Sequence, residues 1–469
     1  MTLRFSVTVA IVLAATWGAS FYLYSGSVDL GHHHALVRSF VLHGAPINTP
    51  VLGEMAYYPP LSHWIAALVT PLFGNSFLAM HGVGILSAFA TYAVIGTFVV
   101  KLGRFHLLVF TGSILLLGLF RLHGNSLYGS ELVANYLYSQ LVGEALFLAA
   151  MAVLVFSRDR WVVKDVTALV VLALLLLCHL LPGLRFAGAY GILLLFGLAL
   201  HRSWLNFARV SVFALLGAGI IAFHPSVRSM LSIAENDGSA QVAWQLPIAP
   251  LALLAFLLLA LSCLVFWQAR VGERRAALGI AAIGLSVAFL SLAQIVGFYF
   301  GIGNNYAVVK HFFSVVTLLV AVAVATCPGT SSNRVRRRGT YLAFVAAGVS
   351  TVAVFYTLPP MMPIRHLANA ASFAQTLTSY GPERGQIFMW DKELPASLNY
   401  SVTVADLRHP RDDEAWAILH GDASAIVQGV AIISSSVVSP EACTFNDLNN
   451  GAWKALDIEC ADRSAVSWR

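Results

Sequence analysis

The sequence has few charged residues, since Asp, Glu, Lys and Arg together make up 11% of its 469 residues. Soluble domains carry roughly 25% charged residues, so this chain lacks the polar surface that such a domain needs. Hydrophobic residues instead make up 58%, and apolar runs long enough to cross a bilayer recur along the chain. The composition therefore excludes an ordinary soluble protein and predicts a protein that crosses a membrane many times.

Motifs for nucleotide binding are also missing. The sequence has no Walker loop, no Gly-rich dinucleotide fingerprint and no Cys-x-x-Cys pair. A nucleotide-sugar or ATP site is therefore not expected. The formal net charge of +6 does not indicate a nucleic acid partner, because the basic residues lie mostly in short loops between apolar runs, where they report orientation.

The apolar runs predict an all-α polytopic fold of about eleven transmembrane helices. Alternate loops are rich in Lys and Arg, which places these loops and the N-terminus in the cytoplasm. The loops that carry Asp29, Glu54 and Glu131 then lie outside, in a multi-pass protein of the plasma (inner) membrane. The predicted spans are 3–24, 76–99, 107–121, 135–156, 166–182, 185–200, 206–223, 248–267, 278–300, 307–326 and 340–358.

The composition changes after Leu358. Residues 359–469 hold 13 of the chain's 22 acidic residues and no apolar run long enough to span a bilayer. Short runs at 385–390, 425–427 and 430–434 indicate strands between helical pieces. We therefore expect a membrane domain over residues 1–358 and a small extracytoplasmic α/β domain over residues 359–469.

Cysteine is scarce, with five residues in the whole chain. Cys178, Cys263 and Cys327 lie in or at predicted spans and are expected to pack there as small apolar side chains. Cys443 and Cys460 are the two cysteines of the C-terminal domain. In an oxidising compartment they are expected to form a disulfide, which closes a loop of about 18 residues and contributes on the order of 3 kcal/mol.

The most informative stretch follows the first apolar run, from Asp29 to Met80. It begins DLGHHHALVRSF and continues to a Tyr-Tyr-Pro-Pro turn, so it brings acids and histidines together beside the membrane. If Asp29 opens a helix, His32 and His33 follow at i+3 and i+4 and share its face, whereas His34 points elsewhere. A carboxylate beside imidazoles at a lipid–water boundary can take a proton from a hydroxyl or hold a cation.

This stretch resembles the first external loop of GT-C membrane glycosyltransferases of the mannosyl-, aminoarabinosyl- and arabinosyltransferase types, which take sugars from polyprenyl-phosphate carriers. The residues that carry the resemblance are Asp29 after the first span, Tyr58-Pro59-Pro60-Leu61 with Trp64, Ile65 and Ala66, and Phe73-Gly74 before the second span. The chain departs from many relatives because Asp29 is a lone acid and Tyr58, rather than Lys, precedes the two prolines. The resemblance implies a GT-C fold with interfacial helices in residues 25–75, and transfer of a hexosyl or pentosyl group.

The resemblance and the outward ends of the spans select further candidate residues for substrate binding. Each has a structural alternative, because an acid can cap a helix or lie in a solvated loop, and a basic side chain can extend to the interface. Lys310 is the strongest candidate. A cation one turn into an apolar helix costs free energy unless it forms an ion pair, and a lipid phosphate can be its partner. The full set is His32, His33, Glu54, Tyr57, Tyr58, Glu131, His179, Arg185 and Lys310.

Charge and resemblance together imply a mechanism. Asp29 is expected to act as general base on an acceptor hydroxyl, and Lys310 to stabilise the departing phosphate together with Arg185 or a divalent ion such as Mg²⁺ or Mn²⁺. Asp29 and His33 are the candidate ligands of such an ion, although orientation of Asp29 by the histidines is favoured over metal binding. One displacement inverts the anomeric centre. The expected partners are a polyprenyl-phosphate-linked sugar, the bilayer, and a glycan, lipid or protein acceptor.

Two other functions suit a membrane protein of this size. A transporter or flippase of lipid-linked saccharides places charges near the bilayer midplane and has related halves with broken helices, whereas most acids here lie in outer loops. A non-catalytic scaffold that displays the C-terminal domain for envelope assembly gives Asp29 no special role.

Overall fold

The structure is a computed structural model of the chain. The predicted spans 3–24 and 340–358 lie outside the residues that it describes, apart from Leu23 and Tyr24. The described residues are 23–25, 28–47, 52–120, 127–134, 136–158, 160–235, 248–272, 275–326, 361–363, 387–389, 403–404, 430–434, 444–448 and 453–457.

Helices dominate the described residues up to 326. A short 3₁₀ helix, Gly53–Tyr57, lies between the first two α-helices. In chain order the α-helices are α1 (Val28–His43), α2 (Leu61–Phe73), α3 (Ser76–Leu102), α4 (Arg104–Phe120), α5 (Ser130–Ala134), α6 (Tyr138–Phe156), α7 (Trp161–Leu176), α8 (Leu180–His201), α9 (Trp204–Phe223), α10 (Pro225–Glu235), α11 (Ile248–Gly272), α12 (Arg275–Tyr299), α13 (Asn305–Val309) and α14 (Phe312–Ala325).

Seven membrane-length segments occur within the described residues: α3, α6, α8, α9, α11, α12, and α13 with α14 taken together. Each is long and apolar enough to cross a membrane, and each coincides with a predicted span, so this part of the prediction is confirmed. Two further predicted spans, 107–121 and 166–182, correspond to the shorter helices α4 with 17 residues and α7 with 16 residues. The total of eleven spans stays a prediction.

The break between α7 and α8 lies before the position predicted from the sequence. The predicted spans 166–182 and 185–200 place the break just after Pro182, but α7 ends at Leu176 and α8 begins at Leu180. His179 caps α8, because its Nδ1 accepts a hydrogen bond of 3.1 Å from the Leu181 amide. Proline is tolerated in the first turn of a helix, where its missing N–H has no helical partner, so Pro182 lies inside α8.

The helices differ in how deeply they are packed. Every residue of α14 from Phe312 to Val324 is buried, so this helix lies in the interior of the bundle. By contrast, α9 buries only Phe213 and Gly217 although it is apolar along its length. An apolar helix with so little protein contact is expected to face lipid, since lipid tails solvate apolar side chains.

The described strands form two sheets. β1 (Leu23–Ser25) pairs antiparallel with β2 (Met361–Pro363), so the last two residues of the predicted first span, Leu23 and Tyr24, are extended. The second sheet has the order β3-β4-β6-β5, with β3 parallel to β4 and the other pairs antiparallel. Its strands are β3 (Ile387–Met389), β4 (Val430–Ser434), β5 (Thr444–Leu448) and β6 (Trp453–Asp457).

Two of the predicted strands coincide with this sheet. The runs at 385–390 and 430–434 correspond to β3 and β4, whereas the run at 425–427 lies outside the described residues. The sequence did not predict β5 and β6, because Asn446, Asp447, Lys454 and Asp457 interrupt their apolar pattern. The α/β domain and its boundary at residue 359 stay predictions.

Candidate functional site

The N-terminus of α6 holds the N-terminus of α2 in place. Ser62 of α2 donates a hydrogen bond of 2.8 Å to the Ser139 hydroxyl, and the Tyr138 hydroxyl donates one of 2.7 Å to the Ser62 carbonyl. All three side chains are buried, so these bonds form in a low-dielectric interior. The Tyr58-Pro59-Pro60 segment that precedes α2 is fixed with it.

Two more helix ends reach the same place. The Gln140 amide of α6 donates a hydrogen bond of 2.9 Å to the carbonyl of Lys310, which lies between α13 and α14. The Leu61 amide donates one of 2.9 Å to the Leu177 carbonyl, in the turn that precedes α8. The ends of α2, α6, α8 and α13 therefore lie close together, and each end carries polar side chains.

Asp29 lies in the first turn of α1, as predicted, and is half-buried. Its Oδ2 accepts a hydrogen bond of 2.6 Å from the hydroxyl of Tyr306 in α13. This bond joins residues that are 277 positions apart in the chain. Tyr306 was missed by sequence reasoning, and the only signal for it is its position one helical turn before Lys310.

Lys310 lies over the face of the Tyr306 ring. Its Nζ is 4.1 Å from the ring centroid, a cation–π contact, and its charge interacts with that of Asp29. Lys310 and Tyr306 are half-buried like Asp29, so the three groups keep some access from outside the protein. We name Asp29, Tyr58, Tyr306 and Lys310 the Asp29 cluster.

The three consecutive histidines of α1 point in different directions. His32 is close enough to Asp29 to interact electrostatically, although burial outweighs that attraction and lowers the pKa of His32. His33 Nδ1 instead lies 2.8 Å from Nε2 of His63 in α2. His34 Nε2 lies 2.9 Å from the Ser76 hydroxyl at the start of α3, which agrees with the expectation that His34 turns away.

Of the two tyrosines predicted to bind substrate, Tyr58 lies beside Asp29 and His33, whereas Tyr57 does not. Tyr58 packs edge-on against His33 with ring centroids 5.4 Å apart, and it interacts with Asp29 and Ser139. Burial, followed by the charge of Asp29, raises the pKa of Tyr58, so its hydroxyl stays protonated. Tyr57 is 62% exposed and lies away from this contact. Glu54 belongs to the 3₁₀ helix, but its side chain lies outside the described part of the structure.

His179 borders the Asp29 cluster. Its ring centroid is 6.3 Å from that of Tyr58, and its charge interaction with Lys310 shows that the two are neighbours. Because Nδ1 accepts a hydrogen bond from the Leu181 amide, the proton of the neutral ring is assigned to Nε2. His179 is 3% exposed, and its Nε2 is therefore a buried hydrogen-bond donor.

Arg185 lies deeper, in a second group that we name the Arg185 network. Its guanidinium forms an ion pair with Glu144, and its Nη2 lies 3.0 Å from His311 Nδ1. The Tyr128 hydroxyl donates a hydrogen bond of 2.9 Å to the other oxygen of Glu144. Arg185 and Glu144 are fully buried, so the charge of Arg185 is balanced inside the protein. Substrate binding by Arg185 stays a prediction.

The Arg185 network is connected to the Asp29 cluster through the chain. His311 follows Lys310 directly, and its ring also contacts Gln294 and lies 2.9 Å from the Ser291 hydroxyl, both in α12. The backbone at the α13–α14 junction is therefore held by α6 on one side and by α8 and α12 on the other. This arrangement gives Lys310 a fixed position beside Tyr306.

Glu131 is near the Arg185 network. It is fully buried in α5, and its Oε2 accepts a hydrogen bond of 2.5 Å from the Gly129 amide. Burial, opposed by hydrogen bonds to backbone amides, raises the pKa of Glu131 to about 8. Its electrostatic neighbours are Glu144 and Arg185. A role for Glu131 in substrate binding stays a prediction.

Among the described residues no group of three or more His, Cys, Asp or Glu side chains is arranged to hold a metal ion. The two candidate ligands are engaged with protein groups, since Asp29 accepts from Tyr306 and His33 pairs with His63. Cys443 and Cys460 lie outside the described residues, so the disulfide stays a prediction. Cys178 is buried and Cys263 is exposed, and both are free thiols.

The Asp29 cluster can do acid–base and electrostatic chemistry at one place. A carboxylate oriented by a phenol is able to accept a proton, and an ammonium over the ring of that phenol is able to stabilise an anion. The surrounding imidazoles are neutral, because burial lowers the pKa of His33 and of His63. They offer hydrogen bonds without competing with Lys310 for a negative charge.

No protein-family model matches the sequence, and no curated protein matches it significantly. The chain is similar to the crystal structure of ArnT from Cupriavidus metallidurans bound to undecaprenyl phosphate, with a TM-score of 0.42, 14% identity, and 96% of this chain and 97% of that chain covered. It is also similar to the archaeal oligosaccharyltransferase AglB from Archaeoglobus fulgidus in complex with an inhibitory peptide and a dolichol-phosphate, with a TM-score of 0.37, 11% identity, and 93% and 70% covered. At these TM-scores the two likenesses carry no argument about the chemistry of this chain.

Proposed function

We propose that this chain is a membrane glycosyltransferase that moves a sugar from a polyprenyl-phosphate carrier to an extracytoplasmic acceptor, with inversion at the anomeric carbon. The observation that carries the proposal is the Asp29 cluster. A carboxylate and an ammonium both contact one tyrosine: the carboxylate accepts a hydrogen bond of 2.6 Å from its hydroxyl, and the ammonium lies over its ring, 4.1 Å from the centroid. Asp29, Tyr306 and Lys310 are each partly exposed.

Asp29 is the general base of the proposed reaction. The acceptor hydroxyl gives its proton to the carboxylate as its oxygen forms a bond to C1 of the sugar. The Tyr306 hydroxyl donates to Oδ2 and so fixes the orientation of the carboxylate before the acceptor arrives. Positioned bases of this kind typically contribute about 10²–10⁴-fold to a rate.

Lys310 is the electrostatic partner of the leaving group. The bond between C1 and the phosphate oxygen breaks as the new bond forms, and the carrier phosphate gains negative charge without needing a proton. An ammonium held beside Tyr306 stabilises that charge, and the Nε2–H of His179 can donate a further hydrogen bond. A single displacement of this kind inverts C1, and the apolar carrier tail lies among the membrane-spanning helices.

The proposal is tested by comparing cells that contain and lack this protein. Mass spectrometry of the lipid-linked saccharides and of the cell-envelope glycans should show a carrier-linked sugar that accumulates and a glycan that loses that sugar when the protein is missing. Restoration by the wild-type chain but not by Asp29→Asn is expected. Unchanged profiles in the absence of the protein would refute sugar transfer.

A flippase for lipid-linked saccharides is the second candidate. The observation that favours it is the ion pair of Glu144 and Arg185, which is fully buried between the membrane-length helices α6 and α8. Buried charges at such depth often mark transport pathways. A flippase moves its substrate without changing any covalent bond. Accumulation of the intact carrier-linked sugar on the cytoplasmic side, without a new product in vesicles supplied with donor and acceptor, would favour transport.

A further inference from the structure

We propose that His33 accepts, through its Nε2, a hydrogen bond from a hydroxyl group of the sugar substrate bound beside Asp29, and that His63 holds His33 in the tautomer that this bond requires. The inference rests on the proposed function and deepens it. His33 is then a substrate-binding residue, and His63 is a positioning residue that acts through it. Neither imidazole has a role in the proton transfer or in the stabilisation of the phosphate.

The tautomer of His63 follows from its surroundings. Its Nδ1 lies 3.3 Å from the Pro59 carbonyl and 3.4 Å from the Ser62 hydroxyl. The carbonyl can only accept, and the Ser62 hydroxyl gives its own proton to Ser139, so Nδ1 of His63 must be the donor. His63 is fully buried and neutral, because burial lowers its pKa to about 3. Its Nε2 therefore carries no proton.

The tautomer of His33 follows from that of His63. Their two nitrogens, Nδ1 of His33 and Nε2 of His63, lie 2.8 Å apart, so one of them must carry a proton. Because His63 Nε2 is unprotonated, His33 Nδ1 is the donor. His33 is 3% exposed, and burial, followed by interactions with neighbouring basic residues, holds its pKa well below the usual range. The ring is therefore neutral, and its Nε2 is a hydrogen-bond acceptor.

The position of His33 Nε2 suits a hydrogen bond from a substrate hydroxyl. His33 follows Asp29 by one helical turn on α1, so both side chains project from the same face. The ring is flanked by Tyr58 and Tyr138, with centroids 5.4 and 6.0 Å away. No donor to His33 Nε2 is found among the residues that the structure describes. The Tyr306 hydroxyl, the Lys310 ammonium and the Nε2–H of His179 are hydrogen-bond donors. A substrate hydroxyl that donates its own proton needs an acceptor, and His33 Nε2 can provide it.

The electrostatic environment agrees with an acceptor rather than a base. Burial disfavours a positive charge on the His33 ring, and the nearby ammonium of Lys310 disfavours it further. A proton taken from the acceptor hydroxyl therefore goes to Asp29, whereas His33 only receives a hydrogen bond. The bond fixes one hydroxyl of the sugar, and it thereby selects sugars that carry a hydroxyl at that position.

The tautomer is tested without reference to activity. The full chain, labelled with ¹⁵N in its histidine rings and reconstituted in lipid bilayers, is measured by solid-state NMR, and the His33 signals are assigned by their loss in His33→Asn. A protonated Nδ1 and an unprotonated Nε2 are expected in the wild type and in His63→Gln, whose amide oxygen can replace the acceptor. His63→Leu should give a mixture of tautomers. A protonated Nε2 on His33 in the wild type would overturn the inference.

The hydroxyl contact is tested by two substitutions of opposite design. His33→Asn keeps an amide donor near the position of Nδ1 and removes the acceptor, whereas His33→Gln places an amide oxygen near the position of Nε2. Formation of the glycan product should fall by on the order of tenfold in His33→Asn, the effect of one lost hydrogen bond, and by less in His33→Gln. A purely structural role predicts the reverse order, since only Asn keeps the bond to His63.

The same variants identify the source of the hydroxyl. If His33→Asn raises KM for the carrier-linked donor, the hydroxyl belongs to the transferred sugar. If it raises KM for the acceptor, the hydroxyl belongs to the acceptor. Protein level and melting temperature should match those of the wild type, and equal activity of both variants and the wild type would overturn the contact. If the wild type transfers no sugar while His33 has the derived tautomer, the proposed function and the hydroxyl contact fail together and the tautomer assignment stands.

Discussion

Removal of the Tyr306 hydroxyl should reduce sugar transfer without loss of the tyrosine's other contact. Tyr306→Phe deletes the hydrogen bond of 2.6 Å to Asp29 Oδ2 but keeps the ring that lies 4.1 Å from Lys310 Nζ. A hydrogen bond to a charged group contributes roughly 1.5–3 kcal/mol, which corresponds to about 10- to 150-fold in rate. We expect kcat to fall by that factor, while KM for the polyprenyl-phosphate donor changes little.

A second substitution at the same position separates the two contacts. Tyr306→Leu removes the hydroxyl and the ring, so Lys310 also loses a cation–π contact of roughly 0.5–2 kcal/mol, and KM for the donor should rise by about 2- to 30-fold. The assay is turnover of carrier-linked sugar by purified protein in lipid.

Tyr190→Phe is the matched control, because the Tyr190 hydroxyl also donates to a carboxylate, that of Asp165, at 2.5 Å. It should leave transfer unchanged. Equal kcat for the wild type and Tyr306→Phe would refute the idea that Tyr306 orients Asp29.

Three further predictions concern other parts of the chain. Lys310→Gln should lower kcat/KM for the donor by about 10- to 150-fold, which corresponds to a lost interaction of roughly 1.5–3 kcal/mol, and Lys310→Arg should lower it less. An unchanged donor dependence would remove Lys310 from the phosphate site. Glu131 keeps its proton to about pH 8 in the folded protein but loses it near 4.5 when unfolded, so deprotonation favours unfolding across this range. The melting temperature of Glu131→Gln should therefore rise relative to wild type from about pH 5 to pH 8, and a constant difference would contradict the burial argument. Cys443 and Cys460 should resist thiol labelling in denatured, unreduced protein, and labelling of both would exclude the disulfide.

The sequence predicted the membrane helices well because each has its signal in local composition. An apolar run long enough to span a bilayer is visible without knowledge of its neighbours, and the seven membrane-length segments of the described residues were found in this way. The break at α8 was misplaced because a capping histidine, His179, competed with a proline signal. Side-chain capping depends on local backbone geometry, which the order of residues does not specify.

The candidate site was predicted only in part, since its contacts join distant segments. Asp29 and Lys310 each stood out because a charge beside or within an apolar run is costly. Tyr306 and His63 did not, because a tyrosine or histidine in an apolar helix has many structural uses. Their roles depend on partners 277 and 30 residues away. Arg185 was visible as a charge, but its pairing with Glu144 required the packing of α6 against α8.

The central claim is that Asp29 is the general base, and Asp29→Asn tests it most directly. The substitution preserves size, and its amide oxygen can still accept the hydrogen bond from Tyr306, but it removes basicity, so it separates catalysis from structure. The measurement is single-turnover transfer from the carrier-linked sugar by purified protein, with donor binding and melting temperature determined on the same preparation. If Asp29 is the base, binding and folding should be normal and transfer should be reduced by roughly 10²–10⁴-fold. Transfer near the wild-type rate by a folded Asp29→Asn protein would contradict it.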